Sequence, residues 1–321
     1  MFIYTNNFYN FKEKVDLIKN IILIGEGSHA NKRIIPSLKK KKINLKGIYT
    51  RKKSILNEFK SEFLKKKYFF YICTPPNSHF KIVNFLLNHK QNVIVEKPAI
   101  IKSSHLKSIK KKISKSNKNI FIENLMYRYS KIFSKFNNYW LKNEKKIFKL
   151  ELNFLIPNFF EIGFRSKTKD KFIILHDIGI YPLSLLNILD IEMTKIEILN
   201  IKFFKQKIKK LKLKINSKNL VIFVNIGEHK NYVNNLIISE SDGSKITYDK
   251  IFSGIEVSKT INKVNKVIKI NKKFVIKDHN CFEKFFSFKL NYLKSLKNSN
   301  LNLIEKNIKL FDKIKLKIKS N

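Results

Sequence analysis

Most of the residues that announce a function by themselves are scarce in this sequence. There are only two cysteines, Cys73 and Cys281, far apart and in no C-x-x-C or C-x-x-H pattern. That implies neither a disulfide framework nor a structural zinc, and no metal is expected; a reducing compartment fits. Only four of the 67 basic residues are arginine (Arg33, Arg51, Arg128 and Arg165), whereas dedicated readers of phosphates and bases favour arginine forks. Acidic residues number 24, which leaves a net charge of +43. The lysines are spread along the whole chain, and alanine occurs only at Ala30 and Ala99. This is the residue usage of an AT-rich coding sequence, so the charge implies weak, salt-sensitive binding to polyanions and no specific nucleic-acid partner. No apolar run reaches membrane-spanning length, so no membrane association is expected. The N-terminus has no signal-like apolar centre and carries Glu13 and Asp16, so a cytoplasmic protein is expected. Glycine (8) and proline (6) are scarce enough that each deserves reading in place.

What is present suits two folded domains. The chain has 321 residues, 43% of them hydrophobic and 13% aromatic, enough to bury more than one core. Residues 1–19 form a polar and aromatic lead-in with a short helix expected over Phe11–Ile18. Apolar strands at Asn20–Gly25, Ile43–Thr50, Tyr68–Cys73, Val93–Val95 and Asn119–Glu123 alternate with helices through Lys42 and over Ser54–Lys66, Phe80–Lys90 and Ser103–Ser116. Such alternation predicts a doubly wound parallel sheet with right-handed crossovers, over residues 20–124. Residues 125–321 differ. Period-two stretches at Phe148–Ile156, Ile196–Phe204, Lys210–Ile215, Leu220–Ile226, Val233–Ser239 and Val264–Ile270 surround a helix near Ile178–Leu189 and end in helices at Cys281–Asn298 and Leu303–Ile318. That predicts an α+β domain on a large, mostly antiparallel sheet.

The first strand runs into Gly25-Glu-Gly27-Ser28-His29-Ala30. Gly25 allows a tight turn, Gly27 lets the main chain approach a pyrophosphate, and Ala30 packs helix on strand, as in dinucleotide-binding turns. After the second strand, where NAD-selective folds carry an acid for the ribose hydroxyl, stand Thr50-Arg51-Lys52-Lys53. Three cations in that place favour NADP(H) over NAD(H). The fourth strand ends in Glu96-Lys97-Pro98, which places a lysine at the carboxyl end of the sheet, where ligands of such folds sit.

Together with Thr74-Pro75-Pro76-x-x-His79, Glu123-x-x-x-Tyr127-Arg128 and Asp177-Ile-Gly-Ile-Tyr181-Pro182, these motifs resemble the Gfo/Idh/MocA oxidoreductases from about Asn20 to Leu189. Lys32-Arg33-Ile-Ile-Pro36 and Phe164-Arg165 are most similar to the branch that holds glucose–fructose oxidoreductase and the nucleotide-sugar 3-ketoreductases. The resemblance implies an N-terminal Rossmann domain, a substrate and oligomerisation domain, a bound nicotinamide cofactor and a sugar-type substrate. It also implies a homodimer or homotetramer built through the second sheet. The cofactor residues expected are Gly25, Gly27, Ser28, His29, Ala30, Thr50, Arg51, Thr74, Pro75, Asn77, His79, Glu96 and Lys97.

Asp177 and Tyr181 are four apart on one apolar helix and so share a face. Hydride transfer to a carbonyl needs a proton donor for the developing alkoxide, and an ammonium beside a phenol makes it a better one. Tyr181 is therefore expected to be the general acid/base, with Lys97 tuning it and Asp177 holding a substrate hydroxyl. Arg128 and Arg165 are candidates for an anionic part of a ligand. The plainer readings are a helix N-cap for Asp177 and a turn partner for His79.

Two features depart from the family's pattern. Lys171-Phe-Ile-Ile-Leu175 stands where glycines are usual, so a narrower pocket, or a strand there, is expected. The interval from Thr50 to Phe70 is too short for another β-α unit, so an edge strand should be missing and the adenine end more open. From these departures comes a competing expectation, a catalytically silent dinucleotide-binding regulator or scaffold. Other substrates left open are a free sugar, an inositol or a dihydrodiol.

Overall fold

In the computed structural model the described residues are 17–50, 65–66, 68–115, 119–161, 163–253 and 280–320, with backbone alone for 257–265 and 268–276. The expected helix over Ser54–Lys66, save its last two residues, lies outside them, as does Arg51 and most of the Phe11–Ile18 lead-in.

Five strands form a parallel sheet in the order β2-β1-β3-β4-β5. They are β1 (Asn20–Ile24), β2 (Asn44–Tyr49), β3 (Phe69–Ile72), β4 (Asn92–Glu96) and β5 (Phe121–Asn124). β1, β3, β4 and β5 are buried on both faces and alternate between two cores, while β2 is half-exposed. Ile22, Ile24, Phe70, Ile72, Val93 and Val95 meet the helices Pro76–Asn88 and Ser103–Lys115. Ile21, Leu23, Phe69, Tyr71, Ile94 and Ile122 meet the helical stretch after Ala30 and the aromatic residues Phe282, Phe285 and Phe286. Each such side chain removed from water contributes about 1.5–3 kcal/mol. Among the described residues β2 is the outer strand; the interval after it, where an edge strand was expected to be missing, lies almost wholly outside them. The strand order reverses between β1 and β3, and that switch point opens a crevice at the carboxyl ends.

The second sheet has eight strands in the order β13-β12-β11-β10-β6-β9-β8-β7, with β6–β9 its one parallel pair. Its long strands are β6 (Ile147–Ile156), β7 (Lys195–Phe204), β8 (Lys207–Asn216), β9 (Val221–Glu228) and β10 (Val233–Glu240). One face is packed by Leu150, Leu152, Leu213, Val224 and Leu236 against the helix that carries Leu183, Leu185 and Leu186.

Several expectations are corrected. Val264–Ile270 is not one strand: it straddles a hairpin between β12 (Val257–Asn265) and β13 (Ile268–Ile276), with Asn265 opposite Ile268. Asn and Lys are common throughout the chain, so they gave no turn signal there. The short β11 (Lys245–Asp249) went unread. At the C-terminus the helix from Cys281 stops at Phe285, and a continuous helix runs over Leu290–Ser320 where a break was expected near residues 299–302. Within it the polar Asn300 is buried at 3% exposure. Its Oδ1 accepts from the Glu123 amide (2.9 Å), and its Nδ2 donates to the Glu123 carbonyl. This helix joins the cores. Leu301, Ile304 and Ile308 pack on the first sheet, while Leu310, Phe311 and Ile314 pack on the second. Finally, Lys171–Leu175 is not a strand. It turns into the helix, Phe172 donating its amide to Asp170 (2.9 Å) and Leu175 donating to the Phe172 carbonyl (2.9 Å).

Candidate active site

The first half of the site is built by main-chain geometry. Gly25 takes φ +98°, and a Cβ there would lie 2.9 Å from the carbonyl carbon and oxygen of Cys73, so the turn requires glycine. Its amide donates to the Tyr49 carbonyl, which ties the turn to β2 (2.8 Å). Gly27 has no heavy atom within 4 Å of a would-be Cβ and borders the cleft, so its backbone is open to a ligand. Helix begins at Ser28, directing amides at the same space.

That space is a cleft of about 1250 Å³, larger than one drug-sized ligand needs. Of the expected cofactor residues Gly25, Gly27, Ser28, His29, Thr50, Thr74, Pro75, Glu96 and Lys97 border it, and so do Lys32 and Arg33. Ala30, Asn77 and His79 do not: Ala30 packs fully buried under the turn, and Asn77 is exposed at the start of its helix. His79 is fully buried. Its ring nitrogens face the carbonyl oxygens of Pro98 (2.9 Å) and Thr74 (2.7 Å), which ties two turns together. Burial holds its pKa below the ordinary value despite those carbonyls.

Glu96, at the end of β4, accepts from the Tyr71 hydroxyl and lies 3.3 Å from His29 Nε2. Burial pushes its pKa up, but His29, Tyr71 and Lys97 outweigh it and the carboxyl stays ionised below its usual range. The Tyr71 hydroxyl in turn accepts from Asn124 Nδ2 (2.6 Å), so a polar chain runs beneath the cleft from the glycine turn to β5.

Lys97, in a cis peptide bond with Pro98, reaches across to the second half. Its ammonium donates to Asp177 Oδ1 and to the Asp177 main-chain oxygen, both at 2.7 Å, and sits 4.7 Å from the centre of the Tyr181 ring. Asp177 lies inside a π-helical segment, Leu175–Gly179, and is not a helix N-cap; such bulges recur at functional sites. Packing is close at Gly179, where a Cβ would lie 2.8 Å from Ile226 Cδ1 and 3.1 Å from the Ile174 carbonyl oxygen, so a side chain there would require the neighbours to shift. The other Asp177 oxygen accepts from Arg165 Nε (2.5 Å). Burial raises the Asp177 pKa, but Lys97 and Arg165 overcome it, so the carboxylate titrates below its ordinary value. Burial likewise works against the Lys97 ammonium, but Asp177 and Tyr181 hold its pKa above the ordinary value. Tyr181, 7% exposed, is pushed up to about 12 because burial outweighs the downward pull of Lys97. Lys97 thus limits the rise in the phenol's pKa without bringing it below 10.

Arg165 therefore faces Asp177, with its guanidinium 4.8 Å from the Phe159 ring centre. Arg128 is not on the cleft wall; its charge acts on Glu123. Burial raises that carboxyl to about 7 against the Ala99 amide, which donates to it at 2.7 Å, and against Arg128. Sequence reading missed Phe154, Tyr232, Phe252 and the Asn280–Phe282 segment, all of which line the cleft. They come from four places in the chain, in a protein with 28 phenylalanines, and no local signal marks them. No group of three metal-ligating side chains forms among the described residues, and no described helix is long and apolar enough to cross a membrane.

Residues 19–124 match the family model described as the oxidoreductase family with an NAD-binding Rossmann fold (GFO_IDH_MocA). No curated protein matches the chain in sequence. Among solved structures it is similar to KijD10, a 3-ketoreductase from Actinomadura kijaniata seen with NADP and TDP-benzene. The TM-score is 0.72 at 15% identity, over 92% of this chain and 96% of that one. It is also similar to the UDP-N-acetylglucosamine 3-dehydrogenase GnnA from Acidithiobacillus ferrooxidans, with a TM-score of 0.70 at 11% identity over 93% and 97%. At such identities the likeness shows the fold, which extends over both sheets. The family match covers the cofactor domain alone, residues 19–124, on the residues that build this glycine turn and this strand-end lysine.

Proposed function

We propose that the chain is an NADP(H)-dependent oxidoreductase acting on a carbonyl or alcohol of a sugar or sugar nucleotide, with Tyr181 as general acid/base. The observation that carries this reading is the meeting of Lys97 from β4 with Asp177 and Tyr181 from the second half, at the mouth of the switch-point crevice. The nicotinamide supplies the hydride acceptor or donor. Gly25, Gly27, Ser28 and His29 would hold the cofactor's diphosphate, and Thr50 and Arg51, joined by Lys32 and Arg33, would favour a 2′-phosphate. Tyr181, neutral up to about pH 12, gives its proton to the alkoxide oxygen in reduction. Lys97 then steadies the phenolate, and Asp177 and Arg165 hold Lys97 in place. The substrate domain is residues 125–321, its C-terminal helix packing on the first sheet as well as the second. A homodimer or homotetramer would use the outer face of the eight-stranded sheet, where Phe148 is 49% exposed. Cys73 and Cys281, both thiols, agree with a cytoplasmic setting.

Fluorescence titration with NADPH and NADH tests the cofactor, with NADPH expected to bind at least tenfold tighter. Absence of binding by both would overturn the reading. A silent dinucleotide-binding regulator is favoured by one observation, that both Asp177 oxygens are already engaged. It predicts cofactor binding without turnover of any sugar nucleotide, free sugar, inositol or dihydrodiol.

A further inference from the structure

His176 stands next to the clamped carboxylate of Asp177 and takes no part in the contacts at Lys97. It is buried at 4% exposure and has a partner of its own, its Nδ1 lying 2.6 Å from Asp170 Oδ2. Residues six apart do not meet on a regular helix, where neighbours are three or four apart. These two meet because Asp170 stands just ahead of the helical turns and caps them. Its Oδ1 accepts the Phe172 amide at 2.9 Å, and the Phe172 carbonyl accepts the His176 amide at 3.2 Å. One carboxylate thus holds the start of the turn with one oxygen and the π-helical segment with the other. Burial pushes the Asp170 carboxyl up, but His176, the Phe172 amide and Lys315 outweigh it, so it titrates below its ordinary value.

The surroundings fix the ring as firmly as the acid. His176 Nε2 is buried with no hydrogen-bond partner among the described residues, and the ring lies against Phe311 of the C-terminal helix, 5.8 Å between centres. A hydrogen on Nε2 would stand unpaired in that apolar contact, so the ring hydrogen belongs on Nδ1, where Asp170 accepts it. Between the two residues Ile173, Ile174 and Leu175 are buried, and the Lys171 carbonyl accepts the Ile208 amide of β8 at 3.2 Å. Successive residues on a helix point about 100° apart, so holding the His176 ring fixes the rotation of the segment and with it the bearing of the Asp177 side chain. That bearing brings the Asp177 carboxylate within 2.7 Å of Lys97, although neither Asp170 nor His176 borders the cleft. We infer that Asp170 and His176 are a positioning pair that seats Asp177 on Lys97, so that the reaction depends on two residues that never touch the substrate. Its catalytic sense rests on the oxidoreductase reading; the seating of Lys97 does not.

Lys97 reports that seating without substrate or cofactor. Burial works against its charge, but the seated Asp177 keeps the amine protonated, and only a free amine is acylated. The measurement is the rate of Lys97 labelling by acetic anhydride at neutral pH, read by mass spectrometry against the exposed Lys145. Trp140, the single tryptophan, is buried in the second core, and its emission reports that this half is folded in each variant. His176→Phe and Asp170→Asn, the latter keeping an oxygen for the Phe172 amide, are each expected to raise the Lys97 rate about tenfold or more with Trp140 emission unchanged. His176→Asn, whose amide stands in the place of Nδ1, should stay within about threefold of the wild type. His176→Gln, whose amide stands in the place of Nε2, should behave as His176→Phe does. A residue that only filled space would give the reverse order, because phenylalanine fills the site better than asparagine. An unchanged Lys97 rate in His176→Phe and Asp170→Asn, or an equal rise in His176→Asn, overturns the inference. Altered Trp140 emission in both His176→Phe and Asp170→Asn overturns it too, by making the pair an element of the fold. Failure of NADPH to bind the wild type overturns the oxidoreductase reading instead and leaves the labelling result intact.

Discussion

The two halves of the cleft are made by different means. On the first sheet the site is main-chain geometry: a glycine at φ +98°, a helix start and a strand end that places Lys97. On the second sheet it is side-chain electrostatics: a carboxylate clamped by two cations, a buried phenol and a ladder of rings. Main-chain features are held by backbone groups, as Gly25 is by the Tyr49 carbonyl, so they tolerate most side-chain substitutions elsewhere. A clamped carboxylate depends on groups 12 and 80 residues away and is exposed to every change in them. The Lys97–Asp177 contact is where the two kinds of construction meet.

Breaking that junction should have the largest effect. Lys97→Met and Tyr181→Phe are each expected to lower turnover about 10²–10⁴-fold while leaving NADPH affinity within about threefold, read by steady-state kinetics beside fluorescence titration. Equal loss of cofactor binding would show that the halves are not separable. Gly25→Val tests the first half alone. With a Cβ at 2.9 Å from the Cys73 carbonyl, NADPH affinity should fall more than tenfold and stability by about 1–3 kcal/mol, measured by denaturant melts.

Smaller effects sharpen the contrast through pH. Asp177 titrates below its ordinary value in the fold, so its stabilisation is complete above about pH 4 and is lost as the pH falls through the lowered value. Arg165→Ala removes one cation, so the acid limb of the rate profile should move up in pH and activity should drop about tenfold. Glu123 has the opposite sign. Its pKa rises to about 7, so the folded state keeps a proton that the unfolded chain releases near pH 4.3. Stability from this group is present below that and lost as pH rises through about 7. Glu123→Gln should therefore gain on the wild type between pH 5 and 8, by on the order of 2–4 kcal/mol, in paired thermal melts. A flat difference would place the buried charge elsewhere.

Much of this was legible beforehand, for reasons that differ by residue. Continuous β-branched runs such as Val93–Val95 mark buried parallel strands, because a strand covered on both faces has no polar side to interrupt it. The glycine turn and the strand-end lysine stand next to those runs, so local order carries them. Asp177 and Tyr181 were paired by helical spacing, though the π-turn that frees the segment for Lys97 leaves no mark in the residue types. Lysine and asparagine hid the β12–β13 turn because they occur everywhere, and the last helix runs unbroken through Asn300, whose polar partner lies on β5.

By itself the sequence determined the parallel sheet, its cofactor turn, the large second sheet and the identity of the lysine, aspartate and tyrosine that meet, since each follows from periodicity or from neighbours in the chain. Only the tertiary structure decided what surrounds them. Burial lifts Tyr181 to about 12 where an adjacent ammonium alone would lower it, and Arg165 is committed to Asp177. The cleft wall, too, gathers Phe154, Tyr232 and Phe252 from distant strands and turns. Desolvation and long-range side-chain contacts depend on atoms that no local stretch of sequence contains.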